Sequence, residues 1–98
     1  MIILQGHARF ASGTLDDYRA AMATMIAETR AEDGCELYAF AVDVLDPDLL
    51  HITERWRDAD ALKAHGESAH MAAFQQTIAA AAPQELSVLA FTAEPRPR

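Results

Sequence analysis

Pro47-Asp48-Leu49-Leu50-His51-Ile52-Thr53-Glu54-Arg55-Trp56-Arg57-Asp58-Ala59-Asp60-Ala61-Leu62-Lys63-Ala64-His65-Gly66-Glu67-Ser68-Ala69-His70-Met71-Ala72-Ala73-Phe74 is the stretch whose order of elements decides the architecture. Asp46-Pro47-Asp48 is turn chemistry, because proline presets its own φ and the flanking aspartates accept local backbone N–H groups. A strand over Leu49 to Trp56 follows, with Leu50, Ile52, Glu54 and Trp56 on one side and Leu49, His51, Thr53 and Arg55 on the other. Asp58 is placed to cap a short helix through His65, and Gly66 breaks it. Ser68 is placed to cap a further helix to about Ala81, where Pro83 stops it.

Working outward, residues Ile2 to Phe10 alternate as a first strand: Ile2, Leu4, Gly6, Ala8 and Phe10 share one side, and Ile3, Gln5, His7 and Arg9 the other. Ser12-Gly13-Thr14 turns the chain, and Thr14 with Asp17 resembles a capping box. Leu15, Tyr18, Met22, Met25, Ile26 and Thr29 recur at helical spacing, which predicts one helix to about Ala31, ended at Gly34. A second strand is expected over Glu36 to Val44, with Tyr38, Phe40 and Val42 on one face, Leu37, Ala39 and Ala41 on the other, and both faces buried. A fourth strand is expected over Glu85 to Thr92. Residues 1–93 then form a single domain, and 94–98 a polar, proline-rich tail that cannot join a sheet interior.

The order βαββαβ is the α+β, ferredoxin-like arrangement, with a four-stranded antiparallel sheet carrying helices on one face only. The other face is too apolar to leave wet, and 98 residues offer no further layer to cover it. A second copy of the chain is the natural cover, giving a homodimeric α+β barrel, and a small hydrophobic or aromatic ligand would sit between the two sheets.

Composition narrows the partners. A formal charge of -7, with eight basic residues spread along the chain, excludes a phosphate-backbone partner, which needs clustered Lys and Arg. No stretch approaches the ~18 apolar residues of a membrane span, so a cytoplasmic, membrane-free protein is expected. The single cysteine, Cys35, allows no internal disulfide and reads as a small buried strand residue.

Five features together, namely Glu54-x-Trp56, the Asp58 helix start, His65 near that helix's end, Ser68-x-His70-x-x-x-Phe74 and Gly34-Cys35-x-x-Tyr38, resemble the antibiotic biosynthesis monooxygenase family over essentially the whole chain. The resemblance implies a dimeric α+β barrel. It also implies a candidate chemistry, since some family enzymes oxidise polycyclic phenols to quinones without flavin, haem or metal. Triplet oxygen reacts poorly with closed-shell molecules unless the substrate is first deprotonated to an electron-rich anion. Such an enzyme needs a dry cavity, a base and an oxyanion donor. A haem-degrading branch uses an Asn, a Trp and an axial His; the corresponding places here carry Gln5 or His7, His65 and Gln75, so that triad is absent.

The expected site follows. His7, His65 and Trp56 are the catalytic candidates: either histidine as base near neutrality, and Trp56 as the aromatic wall that the resemblance places on the cavity. Gln5, Arg9, Tyr38, Ile52, His70 and Phe74 are the substrate-binding candidates, the first, second and third as oxyanion donors. Glu54, a carboxylate on an otherwise apolar face, is expected in an ion pair with Arg9, Arg55 or the partner subunit. His65 and His70 are five apart across a helix break, so they do not form the i, i+4 pair that a helix presents to zinc; no metal and no cofactor is expected. The function expected is oxidation of a small aromatic, phenolic or quinol-type substrate by molecular oxygen. The alternative is a non-catalytic dimeric ligand-binding or stress-response module; a haem-degrading enzyme or a small-ketone isomerase ranks below both.

Overall fold

A computed structural model describes residues 1–98. The elements run β1 (Ile2–Arg9), α1 (Thr14–Asp17), α2 (Arg19–Arg30), β2 (Cys35–Val42), β3 (Leu49–Trp56), α3 (Ala59–Gly66), α4 (Ala69–Ala81) and β4 (Glu85–Thr92). The sheet is ordered β2-β3-β1-β4, and every neighbouring pair is antiparallel. This is the ferredoxin-like α+β fold.

Local chemistry explains most boundaries. Asp58 accepts the Ala61 N–H at 2.8 Å and Ser68 accepts the Met71 N–H at 3.2 Å, so both expected caps are formed. Gly34 takes a left-handed φ of 81°, and a Cβ there would fall 2.5 Å from that of Ala61. Two expectations are corrected. The helix expected over 14–31 is interrupted at Tyr18, and its start is capped by Gly13 in a left-handed conformation, with no side-chain bond from Thr14. The second strand ends at Val42, because Asp43 turns the chain and leaves Val44 and Leu45 in solvent.

Register fixes what each sheet face presents. One face is built of the cross-strand rows Cys35–Trp56–Ile2–Thr92, Tyr38–Glu54–Leu4–Ala90, Phe40–Ile52–Gly6–Val88 and Val42–Leu50–Ala8–Leu86. Helices α2 and α4 lie across it, and its core comprises Ala8, Phe10, Leu15, Met22 and Leu50 at one end and Met25, Tyr38, Trp56 and Ala61 at the other. The opposite face has rows Leu37–Arg55–Ile3–Phe91, Ala39–Thr53–Gln5–Leu89 and Ala41–His51–His7–Ser87. No helix covers it, and Leu37, Leu89 and Phe91 are exposed there. In this single chain the expectation that both faces of β2 are buried holds fully only for Tyr38 on the helix side, where Phe40 is partly buried and Val42 exposed.

Gly6 marks where two backbones come closest: a Cβ there would stand 2.2 Å from the Ser87 carbonyl oxygen on β4. Its lack of a side chain also leaves the middle of the helix-side floor low, between Ile52 and Val88.

Candidate active site

A cavity of about 430 Å³ opens between the sheet and α4. Its floor is Tyr38, Phe40, Leu50, Ile52, Glu54, Ala8, Leu86 and Val88, and its roof is Met71, Phe74, Gln75, Ile78 and Ala79. The size is ordinary for a small-molecule site, and the lining is almost wholly apolar. Phe40 and Phe74 stack on one another in its wall, with ring centroids 5.8 Å apart. The exposed edge strand β4 supplies its more open wall.

Only three lining residues can exchange a proton or hydrogen bond with a guest through their side chains: Glu54, Tyr38 and Gln75. Glu54 is 7 % exposed, and its partner is not the expected arginine but the Trp56 indole, whose Nε1–H donates to Oε1 at 3.0 Å. Burial raises the Glu54 pKa above its ordinary 4.5, although the indole N–H and nearby His65 pull the other way. A carboxylate held in an apolar wall by a single neutral donor is a stronger base than one in water. Tyr38 is buried beside it, and burial, reinforced by the Glu54 and Glu32 carboxylates, pushes its phenol well above the usual range. Tyr38 therefore stays neutral and can donate its O–H.

The residues expected to form one site fall into three groups. Tyr38, Ile52 and Phe74 line the cavity with Glu54. Trp56 is fully buried just beyond it and acts on the cavity through its hydrogen bond to Glu54. His65 lies behind Trp56 and Tyr38, with ring centroids 4.7 and 5.5 Å away, and His70 borders a separate groove between α2 and α4. Gln5, His7 and Arg9 point from the opposite sheet face. Arg9 pairs with Asp46 and lies 3.7 Å from Glu85, which also lies 3.7 Å from His7. Trp56 and His65 thus lie on the helix side of the sheet and His7 on the other, so the three do not share one hollow. Odd and even residues of β1 and β3 leave opposite sides of the sheet, and the helices took the Trp56 side.

Glu54 and Gln75 line the cavity although neither was among the expected site residues. Glu54 is visible in the sequence as a carboxylate among Leu50, Ile52 and Trp56, but the approach that lets Trp56 serve as its donor is set by side-chain rotamers.

A family model described as antibiotic biosynthesis monooxygenase matches residues 1–77. The chain belongs to the antibiotic biosynthesis monooxygenase family. Among curated relatives, the Bacillus subtilis protein named Putative monooxygenase YcnE is 27% identical over 74 residues, covering 76% of this chain and 78% of that one. A structure from Deinococcus radiodurans, described as a putative antibiotic biosynthesis monooxygenase, superposes with a TM-score of 0.91 at 23% identity, covering 100% of this chain and 97% of that chain. PA3566 from Pseudomonas aeruginosa superposes with a TM-score of 0.83 at 26% identity, covering 96% and 94%. The family's fold therefore extends past the matched residues to β4, the strand that completes the cavity wall. No helix of the family member described here is long and apolar enough to cross a membrane.

Proposed function

We propose that the chain is a monooxygenase of small aromatic substrates of the phenol, hydroquinone or anthrone type, and that it works in the cavity between sheet and α4. The observation that carries this reading is Glu54, a buried carboxylate of raised pKa facing an apolar hollow. In an anthrone the acidic C–H next to the aromatic rings gives its proton to Glu54, and the Tyr38 O–H stabilises the oxyanion that develops. Oxygen adds to the electron-rich carbon. One oxygen atom remains as the new carbonyl, and the other leaves as water with the two hydrogens that carbon carried, so the substrate itself supplies the electrons. The stacked Phe40 and Phe74 offer an aromatic wall for the rings, and the apolar lining keeps water from competing for the proton.

A second copy of the chain would cover the sheet face that carries Leu37, Leu89 and Phe91, giving the dimeric barrel. Light scattering on the wild-type protein checks this: a mass twice 10.7 kDa is expected, and a stable monomer contradicts it.

Oxygen uptake in the presence of anthrones and hydroquinones tests the function. The wild-type protein should consume oxygen and release the quinone, and Glu54→Gln should lower the rate by roughly 10²–10⁴-fold, the usual contribution of a positioned base. An unchanged rate in Glu54→Gln removes the base assignment. Absence of turnover across such substrates, with ligands still raising the melting temperature, makes the protein a binding module instead.

A further inference from the structure

The histidines that sequence spacing set aside as metal ligands meet in three dimensions. His65 closes α3, His70 opens α4, and Glu32 lies in the turn after α2; one ligand atom from each falls within 4.8 Å of the other two. His65 Nδ1 is 2.7 Å and His70 Nε2 is 3.3 Å from the same oxygen, Glu32 Oε2. Three donor atoms about a tetrahedral zinc with bonds of ~2.0–2.1 Å stand about 3.3 Å apart, so the cluster reaches metal-binding spacing with small side-chain rotations. His65 is almost fully buried, and His70 Nε2 is buried without a properly aligned hydrogen bond.

Two further features distinguish this cluster from an ordinary ion pair. Behind His70, Nδ1 faces Glu28 at 3.6 Å, the carboxylate–imidazole arrangement that orients a ligating histidine and strengthens its donor nitrogen. Moreover, Glu28 and Glu32 have no lysine or arginine partner, so two carboxylates face two imidazoles with no fixed cation among them. A groove between α2 and α4, lined by Glu28, His70 and Phe74, opens beside His70.

We propose that Glu32, His65 and His70 bind one divalent transition-metal ion. Two imidazoles and one carboxylate, with no thiolate, suit zinc and its first-row neighbours rather than calcium or magnesium. The ion would tie the end of α2 to α3 and α4, and would fix the His65 ring against Trp56 and Tyr38 at the back of the cavity. The site stands apart from the oxygen chemistry proposed above, and its test uses no turnover.

The experiment is a titration of the chelator-treated full-length protein with Co(II), followed by visible absorption, and with Zn(II), followed by melting temperature. Wild-type protein should bind one equivalent of Co(II) with the intense visible bands of a four- or five-coordinate ion. Saturating Zn(II) should raise the melting temperature by at least about 4–8 °C, the shift that ~1 kcal/mol gives in a domain of this size. Glu32→Gln and His70→Ala should each weaken binding at least tenfold, whereas a His7→Ala, His51→Ala double variant should bind as wild type. Glu32→Gln preserves size and one acceptor, so it remains informative if His70→Ala misfolds. Absence of both the bands and the melting shift overturns the proposal, as does binding that survives Glu32→Gln or vanishes with His7 and His51.

Discussion

The two faces of one sheet use their polar residues in opposite ways. On the helix side, polar groups are few and buried: Glu54 accepts from the Trp56 indole, His65 pairs with Glu32, and the Thr29 hydroxyl has no partner. On the open side, Arg9, His7, His51, Asp43, Asp46 and Glu85 form a half-exposed network of ion pairs at one end, and Leu37, Leu89 and Phe91 gather at the other. Water screens the second set, so its pairs contribute little individually. The first set lies where charge is costly, and there burial raises the Glu54 pKa. The proposed chemistry uses the first face and the proposed association the second.

The sharpest contrast is in stability. Trp56→Ala removes the fully buried indole from one core cluster and leaves Glu54 without its donor; a loss of about 3–5 kcal/mol is expected in urea unfolding. A loss below ~1 kcal/mol would mean that the helix face is not the rigid side of the molecule.

Glu54→Gln sharpens the contrast through pH. Because the folded-state pKa of Glu54 is raised, the stability contributed by its neutral form is fully present below 4.5 and is lost as pH rises through the folded value. Glu54→Gln should therefore gain on the wild type as pH climbs above 4.5 and then hold a constant advantage. Exposed Asp33 and Asp58 and partly buried Asp43 and Asp46 have lowered pKa values; their contribution has the opposite sign, is lost as pH falls, and cancels between the two proteins. Parallel curves for variant and wild type from pH 4 to 8 would show that Glu54 is no more buried than the surface aspartates.

His7→Ala gives the smallest effect. It removes one half-exposed imidazole 3.7 Å from Glu85, so unfolding free energy should change by less than about 0.5 kcal/mol, and oxygen uptake should stay near the wild-type rate. A hundredfold fall in uptake would move the chemistry to the open face.

Much of this arrangement was legible in the chain itself. The strands Leu49 to Trp56 and Glu85 to Thr92 and the helix ending at Ala81 coincide with the expected bounds, because alternation, Asp58, Ser68 and Pro83 are local signals that packing did not override. The partition of residues between faces was legible too, since alternation alone separates His7 from Ala8 and Glu54 from Arg55. Which face the helices cover was not, because both faces of β2 are apolar and periodicity is symmetric between them. The pairing of Glu54 with Trp56 and the convergence of His65 and His70 on Glu32 were hidden for a different reason. The first depends on rotamers, and the second joins residues 33 positions apart along the chain.

The most direct test is to locate a bound substrate. Crystals of the wild-type protein soaked with an anthrone without oxygen should show the rings in the cavity under α4, against Phe40 and Phe74, with the acidic carbon toward Glu54 and the oxygen toward Tyr38. Density for the anthrone against His7 and Gln5 on the open sheet face, with the cavity under α4 unchanged, would contradict the account.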